Sequence, residues 1–243
     1  MIKNQTWTAN ILTLFPEMFP GGLSYSLTGK ALKNNLWNLK TYDLRKFANG
    51  KRKAVDGPSA GGGAGQILKA EVLDTAISHI IESDSSYDRN SWPIVALSPR
   101  GKVFNQTEAL HFSKCKGITV ICGRYEGIDE RFLTFHNIPE LSLGDFILSG
   151  GELAAQVLID SVVRLIPGVL GNDKSLEEES FVNYLLEYPQ YTSPKEWKNL
   201  CIPEELLSGH HQKIKNWRLN KSEEITKERR PDLWERHKSL RNH

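Results

Sequence analysis

The chain has 243 residues, 39% of them hydrophobic and 25% charged, with a formal net charge of +2. Those proportions exclude a disordered or collagen-like chain and suit one large α/β domain, or a medium one with a small companion. Cys115, Cys122 and Cys201 lack CxxC spacing, no apolar run nears the roughly 18–20 residues of a membrane span, and no apolar segment follows a basic start, so a cytoplasmic protein without disulfides, zinc or membrane attachment is expected.

TANILTL (8–14) reads as a first buried strand, closed by the turn signal FPEMFPGG. A short helix over 25–35 follows, with Leu27, Ala31 and Leu32 on one face, and then a strand over 36–42. Residues 49–66 read as one long Gly/Lys/Ala-rich loop. The spacing of Val72, Leu73, Ala76, Ile77 and Ile80 predicts a helix over 69–83. PIVALS (93–98) is strand-like, 105–114 helical, GITVICG (117–123) strand-like and 127–134 a short helix. DFILSG (145–150) reads as a strand and 152–166 as a helix. Apolar strands alternating with helices imply a mostly parallel sheet covered on both faces. After Pro167 the polar, acidic stretch GVLGNDKSLEEES reads as a linker, and beyond it the Trp/Tyr-rich chain is expected to be helical without further strands.

Charge is unevenly spread. From Gly209 to His243 there are ten Lys/Arg against five Asp/Glu, with Trp217 and Trp234 among them. A second basic run is Arg45, Lys46, Lys51, Arg52 and Lys53. A single such run is as readily a solvated face, but two of them, one interleaved with aromatics, point to a polyanionic partner such as nucleic acid.

Three glycine-marked turns follow three strands: LSPRG (97–101), CGRYEGIDER (122–131) and LSGGELA (148–154). Ligands of open α/β sheets bind beyond the carboxyl ends of strands, so the three can share one pocket. Each alone is explained by turn geometry. GGGAG (61–65) lacks the Lys-Ser/Thr of a phosphate-binding loop, and Glu126 and Glu152 would repel phosphate near the other turns. Glu152 also sits at a helix start, where a carboxylate favourably opposes the helix dipole. Acidic loops favour a ligand with a positive centre or hydroxyl and amine donors over a nucleoside triphosphate.

FPEMF (15–19), LTGKALKN (27–34), LSPRG, CGRYEGIDER, SLGDFILSGGELAAQVLIDSVVRLIPGVLG (142–171), Ser180-Phe181, LLSG (206–209) and NWRL (216–219) occur in the order of the bacterial tRNA (guanine-N1)-methyltransferases of the SPOUT superfamily. The chain resembles that family over nearly its whole length, most specifically over 122–171. The resemblance implies an α/β fold, a SPOUT-type parallel sheet ending in a deep trefoil knot, which pattern rules alone would not propose. It further implies a cofactor-binding domain over 1–168, a flexible linker over 169–180 and a small helical tRNA-binding domain over 181–243. S-adenosyl-L-methionine is expected in the knot loops. By motif position these are Ala96, Leu97, Ser98 and Pro99; Gly123, Tyr125, Glu126, Gly127 and Ile128; and Ser142, Leu143, Gly144, Asp145, Phe146, Ile147, Leu148, Gly150, Gly151 and Ala154. In that setting the glycines would admit the cofactor to backbone groups, Leu97, Ile147 and Leu148 would form apolar walls, and Glu126 would attract the sulfonium side.

The family is homodimeric and methylates N1 of guanosine 37 of tRNA. N1 must lose its proton before its lone pair can attack, and the charge that spreads to O6 must be stabilised; a carboxylate base and an arginine supply this. The resemblance assigns the arginine to Arg164. The family's Glu-Asp-Ser-Phe motif reads Glu178-Glu179-Ser180-Phe181 here, placing Glu179 at the base position with one extra methylene and Glu177 and Glu178 as competitors. The family's Pro-Tyr-Gly-Gly-Gly is Ser59-Ala60-Gly61-Gly62-Gly63, a later Met is replaced at Gln66, Pro-His-Tyr-Thr is Pro189-Gln190-Tyr191-Thr192, and Gly-Asn-His is Gly209-His210-His211. His210-His211 is read as an RNA or interdomain contact ahead of a metal site. Mg²⁺ is a cofactor of the family, without a dedicated cage visible in the sequence. Phosphate contacts are expected from Lys51, Arg52, Lys53, Lys213, Lys215 and Arg218. Two other readings are a knotted ribose 2′-O-methyltransferase, opposed by the 122–171 segment and the C-terminal region, and a weak or non-catalytic RNA-binding relative.

Overall fold

The structure is a computed structural model, and it describes residues 6–50, 53–85, 87–171 and 178–241. Lys51, Arg52 and residues 172–177, which are half of the expected linker and include Glu177, lie outside the described residues. The chain falls into two compact units, Met1–Gly171 and Asn172–His243.

The first unit is built on a five-stranded sheet. Its strands are β1 (Trp7–Thr13), β2 (Trp37–Asp43), β5 (Ile94–Val103), β6 (Gly117–Cys122) and β7 (Glu140–Ser142), in the order β2-β1-β6-β5-β7. Every pairing is parallel. The central strands β1 and β6 are buried at every residue, as both faces of a covered parallel sheet require. Their alternation sorts the core into two clusters. Ala9, Ile11, Ile118, Val120, Val95 and Leu97 pack with α1 (Ser26–Lys33), α3 (Gln106–Ser113) and α5 (Gly151–Val163). Leu12, Ile121, Ile94 and Ala96 pack with α2 (Ala70–Glu82) and α4 (Glu130–Phe135). The helices therefore cover both faces, as the alternation of apolar segments predicts.

Local chemistry fixes the helix ends. Asn105 caps α3 by accepting from the backbone N–H of Thr107 and Glu108, and Asp129 caps α4 through Arg131 N. Thr28 Oγ1 donates to Asp160 Oδ1 at 2.6 Å and ties α1 to α5. The expectation that Leu27 faces inward is corrected: Leu27 is exposed, and Thr28 takes the buried position beside Ala31.

Three further expectations are corrected. The 49–66 stretch is not one loop, because β3 (Asp56–Pro58) pairs antiparallel with β4 (Gln66–Leu68). DFILSG is not a strand; the third strand of the pocket side ends at Ser142, and Phe146, Ile147 and Leu148 are exposed loop residues. An exposed apolar run has the composition of a buried strand without its neighbours, which is why the pattern misleads. β5 also runs further than PIVALS, with a register shift between Leu97 and Lys102 where it pairs with β7. A Cβ on Gly101, inside that bulge, would meet the Glu140 carbonyl carbon at 2.4 Å.

The second unit contains α6 (Glu204–Leu207), α7 (His211–Arg229) and α8 (Pro231–Arg241). It also contains a small hairpin, β8 (Glu196–Trp197) with β9 (Leu200–Cys201), against the expectation of no further strands. Thr226, Leu233 and His237 form its buried seam, and the Leu186 N–H donates to Thr226 Oγ1 at 2.8 Å. No helix among the described residues is long and apolar enough to cross a membrane.

Candidate functional site

The parallel sheet directs the carboxyl ends of β5, β6 and β7 to one edge, and the three glycine-marked turns meet there around a cavity of about 1090 Å³. Of the expected cofactor residues, Leu97, Ser98 and Pro99, Gly123 and Tyr125 through Ile128, Ser142 through Gly144, Phe146 through Leu148, Gly150, Gly151 and Ala154 line it. Ala96 does not: it is fully buried in the sheet behind the wall, on the α2 side. Asp145 is exposed and also does not line the cavity.

The hairpin of β3 and β4 supplies a further wall, at the stretch where this sequence departs from the family's Pro-Tyr-Gly-Gly-Gly. Pro58, Ser59 and Ala60 face the cavity. The hairpin is bound to the second turn by Glu126 N to Gln66 O at 2.9 Å, Leu68 N to Gly127 O at 2.9 Å and Asp129 N to Leu68 O at 3.0 Å. At Gly65 a Cβ would lie 2.3 Å from Glu126 Cγ, so this glycine lets the hairpin close on the turn. Tyr125 has φ 59°, a left-handed conformation that costs a non-glycine residue energy and that the surrounding bonds sustain.

Glu152 and the double glycine play parts other than those expected. Glu152 has no exposed surface and does not line the cavity. Its Oε1 accepts from Thr13 Oγ1 at 2.7 Å and its Oε2 from Arg124 Nε at 2.8 Å. Arg124 Nη1 also donates to the Ser149 carbonyl at 3.1 Å, and the guanidinium lies 4.3 Å from the Phe15 ring centroid. One side chain thus joins the ends of β1 and β6 to the third turn. Glu126, Asp129, Glu130 and Glu140 line the cavity, and Glu152 does not. Gly151 is needed by the fold itself: a Cβ there would lie 2.8 Å from Cys122 Cα, and the Gly151 N–H donates to Gly123 O at 2.8 Å. Gly150 makes room for Arg124, whose Nε would lie 2.3 Å from an added Cβ.

At the mouth, Arg100 Nη2 bridges Glu130 and Glu140 at 2.9 Å each. Those two hydrogen bonds raise the Arg100 pKa. The Arg131 guanidinium holds the Asp129 carboxyl below its usual range. Burial, and then the Glu152 charge, pushes the Cys122 thiol well above its ordinary value, so the cysteine under the second turn stays a neutral packing group. No role for Arg124 or Arg100 is legible in the sequence. Arg124 sits inside the CGRYEG motif, but its pairing spans 28 positions to Glu152 and no local pattern signals it.

Arg164 ends α5, its backbone N–H bonded to Asp160 O at 3.2 Å, and its side chain is half-buried. Glu179 belongs to the second unit, where its carbonyl accepts from Val182 N at 3.3 Å. Lys53, Lys213 and Lys215 are exposed. Arg218 is already engaged, donating to Glu178 Oε2 at 2.9 Å. Among the described residues no group of three or more His, Cys, Asp or Glu side chains is placed to hold a metal ion.

Comparison with known proteins gives a consistent result. The family model described as tRNA (Guanine-1)-methyltransferase TrmD matches residues 8–236. A tRNA (guanine-N(1)-)-methyltransferase of Ruegeria sp. (strain TM1040) is 58% identical over 94% of this chain and 92% of its own. Proteins of the same name from Pelagibacter ubique (strain HTCC1062) and Rhodospirillum rubrum (strain ATCC 11170) are 54% and 49% identical, each over 96% of this chain and over 99% and 95% of their own lengths. The chain belongs to the tRNA (guanine-1)-methyltransferase family.

Proposed function

We propose that this enzyme transfers a methyl group from S-adenosyl-L-methionine to N1 of guanosine 37 of tRNA. The observation that carries the reading is the single cavity made by the three turns at the sheet's carboxyl edge. Its lining suits the cofactor: glycine backbone for close approach, apolar Leu97, Ile147 and Leu148, and carboxylates for a cationic centre. Of these, Glu130 and Glu140 are bridged by Arg100 and Asp129 is paired with Arg131, while Glu126 makes no ion pair with a described residue. We assign the first unit to the cofactor and the second to tRNA, with a trefoil knot formed by the second and third turns and a homodimer as the working assembly. The bond from Gly151 to Gly123 and the close approach of Gly151 to Cys122 support such a crossing.

When bound, the cofactor supplies an electrophilic methyl group. The protein's own part is to free the N1 lone pair and to balance the charge left behind. Glu179 would take the N1 proton and so free the lone pair for the methyl group, and Arg164 would stabilise the negative charge on O6. The guanine leaves its stack to reach the cavity, and Lys53, Lys213 and Lys215 pair with phosphates. No step is routed through Mg²⁺, since the described residues offer no donor cluster for it.

Calorimetric titration with S-adenosyl-L-methionine tests the cofactor site. Saturable binding is expected, and Leu97→Asp, which puts a second charge into the apolar wall, is expected to weaken it at least tenfold, on the order of the cost of an unpaired charge in a pocket. Equal affinity in both would place the cofactor elsewhere.

A further inference from the structure

The second unit holds a charged cluster that the proposed chemistry does not use. One oxygen, Glu178 Oε2, accepts from both Tyr188 Oη at 2.6 Å and Arg218 Nη1 at 2.9 Å. The Arg218 guanidinium lies 4.8 Å from the Tyr188 ring centroid, which orients it. Arg218 Nε is buried and has no hydrogen-bond partner. The group therefore has one donor occupied by a carboxylate and a second donor unspent. The exposed part of the guanidinium can meet a phosphate in place of the carboxylate, and the buried Nε becomes available to a second phosphate oxygen only as Glu178 moves away. Beside it is a cavity of about 280 Å³ lined by Tyr191, Ile202, Leu206 and Ile214, which gives apolar and aromatic surface for the nucleoside attached to such a phosphate. Lys215, three residues before Arg218 on α7, is exposed and makes no ion pair with a described residue.

We propose that Tyr188 and Arg218 form a binding site for one RNA backbone phosphate, and that Glu178 occupies it as an internal substitute until RNA displaces it. The inference rests on the reading of this chain as a tRNA methyltransferase. The Glu178 pair is poised for exchange because both partners are partly exposed, at 56% and 38%, and an exposed ion pair contributes little net stability. The segment that follows is strained: Phe181, Asn183 and Tyr184 have φ of 79°, 50° and 60°. Displacing Glu178 removes one tether beside the candidate base Glu179, which links phosphate capture to the segment that carries the base.

The test is a double-mutant cycle on tRNA affinity, measured with the full chain across a salt series without cofactor. Removing the competing charge in Glu178→Gln is expected to tighten tRNA binding by about two- to fivefold, the free-energy range of an exposed ion pair. It should also steepen the dependence of log K on log salt by up to about 0.9, one released counterion. In an Arg218→Met background both gains should vanish. In Arg218→Lys, which keeps the charge and guards against a Met variant that folds poorly, Glu178→Gln should tighten binding again. Equal tightening with and without Arg218, or none at all, overturns the exchange. If wild type binds tRNA and methylates it while the cycle is additive, only this inference fails; if wild type neither binds nor methylates tRNA, the functional reading fails with it.

Discussion

Arg124 donates to Glu152 across 2.8 Å, and that carboxylate has no exposed surface. Arg124 lines the candidate cofactor cavity, Glu152 lies behind it, and the pair joins the ends of β1 and β6 to the third turn. Removing Arg124 leaves a buried charge with only Thr13 for a partner. Arg124→Met is expected to destabilise the protein by about 3–5 kcal/mol, the usual cost of breaking a buried pair from one side. The double variant with Glu152→Gln should recover most of it. Urea denaturation measures both, and an Arg124→Met loss under about 1 kcal/mol would show that the carboxylate does not depend on its partner.

Gly151→Ala tests the crossing of the second and third turns. The added methyl would meet backbone, Cys122 Cα at 2.8 Å and Gly123 N at 2.9 Å, which cannot rotate aside. Overpacking of this kind costs about 1–3 kcal/mol. Thermal melts should fall accordingly, and cofactor affinity with them. Gly171→Ala, with nothing within 4 Å of the new methyl, is the control and should leave affinity unchanged.

Assignment of the base is tested by single-turnover methyl transfer at saturating tRNA. Glu179→Gln is expected to lose at least about 100-fold, the usual contribution of general base catalysis. Glu177→Gln and Glu178→Gln should retain the rate. Arg164→Ala should lose about 100- to 1000-fold, as removal of an oxyanion donor does. A Glu179→Gln enzyme with near-full rate would move the base to another carboxylate.

Two of the seven tyrosines report on alkaline pH. Burial pushes Tyr87 up to about 12, its hydroxyl donating to Trp92 O at 3.0 Å. Burial, then the bond to Glu178, does the same for Tyr188. A phenol whose folded pKa is raised contributes stability that is complete below its unfolded pKa near 10. That contribution is lost as pH rises through about 12. Ultraviolet titration should show a late tyrosine class, and Tyr87→Phe and Tyr188→Phe should each shrink it. If both variants titrate as wild type does, the late class belongs to other residues.

Much of the first unit was legible because its strands obey a simple rule. Central parallel strands are apolar throughout, and TANILTL and GITVICG say so. The helix over Val72 to Ile80 was equally plain. Two failures have physical causes. DFILSG carries a strand's composition, yet it is exposed loop at a cavity edge, where apolar residues face a ligand site. The β3–β4 hairpin lacks that composition: Asp56-Gly57-Pro58 is held by pairing with Gln66–Leu68, and that strand is bonded in turn to Glu126, Gly127 and Asp129, distant in sequence. At the site, all the cofactor residues placed by motif position line the cavity except Ala96 and Asp145. Glu152 does start α5 as expected, but its bonds to Arg124 and Thr13 were not legible, and Gly151, which lines the cavity, also serves the approach of α5 to β6. Arg218 was read as an open phosphate contact; Glu178 occupies it.

The most direct measurement is nucleoside mass spectrometry of unmodified tRNA after incubation with the enzyme and S-adenosyl-L-methionine, beside a tRNA whose guanosine 37 is replaced by adenosine. The account predicts N1-methylguanosine at position 37 of the first and no methylation of the second. A 2′-O-methylated nucleoside, methylation at another position, or equal methylation of both tRNAs would contradict it.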